Sequence, residues 1–144
     1  MTTIAYKDGV IAYDSRITVG NTIVDDQANK MVERDGHVLF CTGSTPDCEA
    51  LIEVYCGRKL SLAPIDASGI AVTDGLIYYI GWNQTDGLWK SAIRAGNVYS
   101  IGSGSAYAFT AMDCGKSAKK AVEMAKKRDT YTGGLVHTYQ VKKT

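Results

Sequence analysis

Proline is almost missing from the chain, with two residues in 144. That scarcity excludes a proline-rich linker or a collagen-like repeat. The four cysteines, Cys41, Cys48, Cys56 and Cys114, include no C-x-x-C pair and are not interleaved with histidine, of which there are two. A zinc centre and a disulfide framework are therefore not expected, and the cysteines are read as small buried apolar residues in a reducing compartment. No metal and no cofactor are called for. No run of eighteen or more apolar residues is present, so no membrane-spanning helix is available. The opening residues, Met1-Thr2-Thr3-Ile4-Ala5-Tyr6-Lys7-Asp8, lack the charged-then-apolar layout of a signal peptide. A soluble, cytoplasmic protein without membrane contact is the expectation. Nor does one sign of charge dominate, the formal net charge being +1.

What is present fits one folded domain over residues 1–144. Apolar residues make up 45% and charged residues 22% of the chain, proportions that argue against disorder. At this length about two-thirds of the unfolded surface can be buried, enough for a layered core. The charge is unevenly placed. Residues 116–144 hold eight Lys or Arg against two acids, a net of +6, whereas residues 1–115 hold eight against thirteen, a net of −5. Lys119, Lys120, Lys126, Lys127 and Arg128 lack interleaved aromatics for base stacking, so they read as a solvated helix face and no nucleic-acid partner is expected. Complementarity between copies of the chain is a further use of the split.

Four Asp-Gly pairs, at 8–9, 35–36, 74–75 and 86–87, punctuate the chain as hairpin turns, where positive φ angles are needed. Residues 4–14 read as a first hairpin. Further strands are expected at 32–33, 38–41, 70–73, 76–80, 98–101 and 135–141. A helix is expected from the Thr45-Pro46-Asp47 start, with Cys48, Leu51, Ile52 and Tyr55 at helical spacing. A second runs from Ser105 or Ala106 to Cys114, before Gly115. Ser117 caps a third, whose apolar stripe is Ala118, Ala121, Val122 and Ala125. The order of strands, helix, strands, two helices and strand implies an α+β fold, two antiparallel sheets with helices on their outer faces.

Two features carry chemistry. Thr2 follows Met1 directly, and a small second residue favours removal of the initiator. The exposed threonine would then hold a hydroxyl and an α-amine of pKa near 8 on one residue, so the amine can act as base for its own hydroxyl. With Met1 retained, that nitrogen is a peptide amide and cannot serve. Lys30 is the second feature: a buried ammonium, kept charged by a partner such as Asp14, favours deprotonation of a neighbouring hydroxyl.

The segments Thr2-Thr3-Ile4, 7–16 and Gly20-Asn21-Thr22 resemble the opening of proteasome β-type subunits and their bacterial HslV-like relatives. Asp14 and Lys30 lie sixteen residues apart, as the corresponding acid and lysine do in that family. Cys41-Thr42-Gly43-Ser44 is similar to the family's glycine turn before the first helix. Residues 101–108 resemble its Gly-Ser-Gly turn, and residues 128–134 its Arg-Asp-x-x-Ser/Thr-Gly loop. The resemblance implies an N-terminal-nucleophile (Ntn) hydrolase with a four-layer αββα sandwich. It implies Thr2 as nucleophile, Lys30 as the activating cation and Asp14 as its orienting acid. It further implies an oxyanion donor at the Gly43 N–H, and Ser103, Asp129 and Thr132 grouped around the terminal amine. By position Ile17, Ala28, Val32, Cys41, Thr45 and Glu49 resemble the pocket for the residue before the cut, where Glu49 would favour a basic side chain.

The activity implied is a threonine-type endopeptidase cutting unfolded polypeptide inside a homo-oligomeric ring, with an AAA+ ATPase as a possible partner. Two other readings share the fold: a catalytically silent ring or scaffold subunit, and a small-molecule amidase. Some features depart from the family. The chain is several tens of residues shorter than typical relatives, around 57–69 and between the two late helices. Thr132 stands where serine is usual. The Arg128-Asp129 pair is more proteasome-like, and the single residue before Thr2 more HslV-like.

Overall fold

The structure, a computed structural model, describes residues 2–58 and 63–142. It begins with β1 (Thr3–Lys7), β2 (Val10–Tyr13), β3 (Ile17–Val19) and β4 (Thr22–Asp25). β5 (Met31–Arg34), β6 (His37–Gly43), helix α1 (Thr45–Tyr55), β7 (Ala67–Thr73), β8 (Leu76–Asn83) and β9 (Gly87–Ala92) follow. β10 (Tyr99–Gly102), α2 (Ser105–Asp113), α3 (Ala118–Lys126) and β11 (His137–Gln140) come last. The class is α+β, as expected. The chain divides into two compact units, one of residues up to Lys30 with Arg94–Lys142, the other of Met31–Ile93.

In the first unit an antiparallel sheet runs β10-β1-β2-β11, so β1 is a central strand between β10 and β2, and β2 in turn pairs with the last strand, β11. The β1–β2 turn is the expected one, with Asp8 at φ 51° and Gly9 at φ 79°. Ala5 and Ala12 point to the sheet face covered by α2 and α3, where they meet Ala108, Ala111, Met112, Ala118, Ala121 and Val122. Alanine on both sides lets the helices lie close to the sheet. The apolar stripe expected of α3 is the one it buries, and Ser117 caps it by accepting the Lys120 N–H at 3.2 Å. The alternate positions Ile4, Tyr6, Ile11 and Tyr13 are buried too. Strands buried on both faces read as continuous apolar runs, and these do. Among the described residues the β3–β4 ribbon pairs only with itself, and it exposes Ile17, Val19, Ile23 and Val24.

The second unit is an antiparallel meander, β5-β6-β7-β8-β9, with α1 inserted after β6. Leu51 and Ile52 of α1 pack onto Leu39, Ala71 and Ile80 of the sheet. Ser44 caps α1 by accepting the Asp47 N–H at 3.3 Å. The Asp35-Gly36 and Asp74-Gly75 turns have positive φ at both residues, as expected. The fourth pair differs: Asn83 pairs with Gly87 across a three-residue loop, and only Gly87 has positive φ. There the Asn83 side chain accepts the Asp86 N–H at 2.7 Å.

Several expected boundaries need correction. The last strand is His137–Gln140 rather than 135–141, and β5 and β7 extend beyond 32–33 and 70–73. Strands β3, β4 and β9 lie outside the expected set: β3 and β4 turn their apolar side chains to solvent, and β9, Gly-Leu-Trp-Lys-Ser-Ala, carries no apolar alternation. The cysteines are not buried: Cys41, Cys48 and Cys56 are partly exposed and Cys114 is exposed. Part of the shortened 57–69 segment lies outside the described residues. Among the described residues no helix is long and apolar enough to cross a membrane.

Candidate active site

Thr2 enters β1 from a tightly held backbone. Its carbonyl accepts the Ser103 N–H at 3.1 Å. Gly102, paired with Thr3, sits at φ 100°, and a Cβ there would run into the Thr2 carbonyl oxygen. Glycine is thus required where β10 closes on the start of β1. Thr2 is 6% exposed.

The Lys30 ammonium donates to the Thr2 hydroxyl oxygen at 2.9 Å and to Asp14 Oδ1 at 3.0 Å. Asp14 directly follows β2 and is wholly buried. Its Oδ1 also accepts the Thr3 N–H at 3.1 Å, while Oδ2 accepts those of Gly133 at 3.0 Å and Arg16 at 3.4 Å. A carboxylate has about four acceptor sites, and here four donors fill them. Because Lys30 donates to the Thr2 oxygen, the hydroxyl proton of Thr2 must point elsewhere.

A second carboxylate organises the rest. Asp129 Oδ2 accepts the hydroxyls of Ser103 at 2.6 Å and Thr132 at 2.5 Å, and its Oδ1 accepts the Tyr131 N–H at 3.2 Å. Burial pushes the Asp129 carboxyl upward, but those three hydrogen bonds outweigh it and hold the group below its ordinary range. The Ser103 hydroxyl faces a carboxylate, which is incompatible with a phosphate cradle at the Gly-Ser-Gly turn.

The remaining expected residues lie in different places. Ile17 is on β3 and half-exposed, and Ala28 donates its N–H to the Ser15 carbonyl at 3.1 Å. In the second unit Val32 is on β5, and Cys41 and Gly43 are on β6, with Gly43 at φ 139°. Thr45 and Glu49 belong to the first turns of α1. Glu49 has the Arg34 guanidinium at 3.5 Å, so its charge is already partly answered. Cys41 and Cys48 share a side-chain hydrogen bond, which raises the Cys41 thiol and lowers that of Cys48.

Comparison with known proteins bears on this arrangement. The sequence pattern of the family described as Proteasome subunit matches residues 1–60. Proteasome subunit beta type-8 of Canis lupus familiaris is 31% identical over 180 residues, covering 98% of this chain and 65% of that protein. Proteasome subunit beta type-5 of Gallus gallus is 27% identical, covering 97% of this chain and 70% of that protein. Among solved structures, eukaryotic HslV from Trypanosoma brucei matches with a TM-score of 0.70 at 18% identity, over 96% of this chain and 98% of that one. Thiobacillus denitrificans BPH in complex with epoxomicin matches with a TM-score of 0.68 at 17% identity, over 98% of each chain. The chain is similar in sequence to proteasome β subunits and in fold to HslV.

The solved structures establish likeness of fold, and this proteasome-like chain spans 65% of the length of its type-8 relative. The matched stretch of 180 residues exceeds the 144 of the chain, so the relative carries internal insertions, in line with the shortened loops expected. Sequence reading of the proteasome-like motifs missed the residues that fasten them. Arg16 grips Asp26 through two hydrogen bonds, at 2.9 and 3.1 Å, and donates to the Thr130 carbonyl at 3.0 Å. Ser15 donates to the Asp26 carbonyl at 2.8 Å. Thr3 touches Thr132 and Gly104. The available signal was adjacency: Ser15 and Arg16 follow Asp14, and Thr3 follows Thr2.

Proposed function

We propose that the chain is the peptidase subunit of a self-compartmentalising threonine protease, a single Ntn-hydrolase domain with Thr2 as nucleophile after removal of Met1. The observation that carries this reading is the Lys30 ammonium donating at once to Thr2 Oγ and to the buried Asp14. An ammonium 2.9 Å from a hydroxyl oxygen favours the alkoxide form that attacks a carbonyl.

In the proposed sequence the Thr2 oxygen bonds to the scissile carbonyl carbon while its proton moves to the Thr2 α-amine. The amine passes that proton to the departing peptide nitrogen, leaving an ester on Thr2. Water then attacks the ester, giving its proton to the same amine, and the acid product leaves as the threonine hydroxyl re-forms. Ser103, Asp129 and Thr132 orient the amine. The Gly43 N–H is proposed as oxyanion donor from the family resemblance, a contribution of about 3–4 kcal/mol in comparable sites. Ile17, Ala28, Val32, Cys41, Thr45 and Glu49 are proposed as the pocket before the cut, with only a weak preference for basic side chains because Arg34 pairs with Glu49.

The reading extends to a cytoplasmic homo-oligomeric ring acting on unfolded polypeptide, with an AAA+ unfoldase as its feeder. Epoxomicin occupies one structurally similar protein, which supports a peptide epoxyketone as probe. Such a reagent needs both the hydroxyl and the free amine of a terminal threonine. The expected result is an intact mass lacking Met1, one covalent adduct per chain, and no adduct on Thr2→Ala. Retention of Met1 with no adduct would leave a silent subunit. An adduct without casein digestion, alongside turnover of simple amides, would leave the amidase.

A further inference from the structure

We infer that Thr3 is a positioning residue whose hydroxyl sets the direction of the hydrogen-bond chain around the Thr2 amine. The inference rests on the peptidase reading above for its kinetic consequence, but the hydrogen-bond order stands on geometry alone. Asp129, as a carboxylate, can only accept. Thr132 therefore commits its one hydroxyl proton to Asp129 Oδ2, at 2.5 Å. The 2.6 Å contact between the Thr3 and Thr132 hydroxyls then requires the proton of Thr3. Thr3 Oγ is itself polarised by the Gly104 N–H, which donates to it at 3.1 Å. The chain has one sense: Gly104 N–H to Thr3, Thr3 to Thr132, Thr132 to Asp129.

Water cannot stand in for any link, because Thr3 is 0% and Thr132 1% exposed. Space is also closed: a Cβ on Gly104 would strike the Thr3 hydroxyl oxygen and come within 3.0 Å of that of Thr132. With its proton committed and one lone pair taken by Thr3, the Thr132 oxygen keeps one lone pair. Toward an amine it can act only as acceptor. On the peptidase reading, which groups Thr132 with the Thr2 amine, the amine then directs an N–H to Thr132 and keeps its own lone pair for the proton of its own hydroxyl.

Removing the Thr3 proton returns a second lone pair to Thr132 and makes it a stronger acceptor. A stronger acceptor favours the ammonium, which cannot serve as base. Thr3→Val is therefore expected to lower kcat about tenfold, the scale of one lost hydrogen bond, with KM within about twofold. The acid limb of its pH–rate profile is expected to move upward by about half a unit to one unit. Thr3→Ser, which keeps the hydroxyl, is expected to restore both. A Thr3→Val enzyme with reduced rate but an unmoved acid limb would overturn the inference, since a merely structural defect scales the amplitude alone.

Neutron diffraction of the wild-type protein exchanged into deuterium oxide tests the order without a variant. The deuteron of Thr3 is expected on the line to Thr132 Oγ, and that of Thr132 on the line to Asp129. A Thr132 deuteron directed at Thr3 would overturn the inference, even if Thr3→Val does not fold. Wild-type protein that takes no epoxyketone adduct would instead sink the peptidase reading and leave the neutron result to decide the hydrogen-bond order.

Discussion

Asp14 accepts four donors in a wholly buried position, three of them backbone N–H groups and one the Lys30 ammonium. Asparagine at that position has the same shape but brings an NH2 where an acceptor is needed. Two donors would then face each other, and Lys30 would lose its counter-charge. Breaking a buried ion pair by removing one partner costs about 3–5 kcal/mol, so Asp14→Asn is expected to lose about that much in urea unfolding. Lys30→Met leaves Asp14 with three N–H donors and should cost less. Both variants are expected to slow epoxyketone labelling of Thr2 by at least about a hundredfold, because neither holds an ammonium against the nucleophile. Equal stability losses, or labelling that survives in Lys30→Met, would contradict the role given to this pair. The sixteen-residue spacing of Asp14 and Lys30 was readable because it matches that of an acid and a lysine in the family the chain resembles. The role inferred for Thr3 was hidden, since a buried threonine beside the proposed nucleophile leaves the same letter in the sequence as a strand-forming threonine.

At the level of elements, the site depends on how residues 128–134 are fastened to the segment after β2. Arg16 bridges Asp26 and the Thr130 carbonyl, and the Ser15 N–H donates to the Gly133 carbonyl at 3.1 Å. The Arg16 hydrogen bonds hold the Asp26 carboxyl below its ordinary value near 3.8, and Asp129 lies below the same value through its own donors. A carboxyl lowered in the folded state contributes stability that is present above the unfolded pKa and is lost as pH falls through the folded one. Unfolding temperature should therefore fall steeply below about pH 4. The descent should be shallower in Asp129→Asn, which no longer takes up that proton, and this is read from melting curves between neutral and acid pH. A variant with the wild-type slope would show that Asp129 is not linked to folding. These fastenings mark the limit of what the sequence disclosed. The Asp-Gly turns, helix caps and apolar stripes were legible because each is a local rule of spacing. The β3–β4 ribbon was not, because its apolar side chains face outward. β9 was not, because its register depends on Trp89 lying over Gly81, a cross-strand pair that no local pattern announces.

For the whole molecule, the proposed chamber protease makes a demand that a single chain cannot meet: copies must join. Rings form through head-to-tail contacts in which one surface meets a different one, so opposite charge on separate parts of the chain is complementary between neighbours. Residues 116–144 carry net +6 and residues 1–115 net −5, and Lys119, Lys120, Lys127 and Arg128 are exposed rather than paired within a core. If those charges draw neighbours together, assembly should weaken as salt shortens the screening length from about 10 Å at 0.1 M to about 3 Å at 1 M. Native mass spectrometry at low salt is expected to give a multiple of the 15.5 kDa chain mass. The multiple should fall at high salt, and at low salt in a Lys119→Glu, Lys120→Glu, Lys127→Glu variant. Casein digestion should follow assembly in each case, because only a chamber admits and holds an unfolded chain. A monomer at every salt concentration that still takes the epoxyketone would remove the ring while leaving the nucleophile in place. Assembly indifferent to salt and to the charge reversals would put apolar contact, with the exposed Val19, Ile23 and Val24 as first candidates, in place of electrostatics.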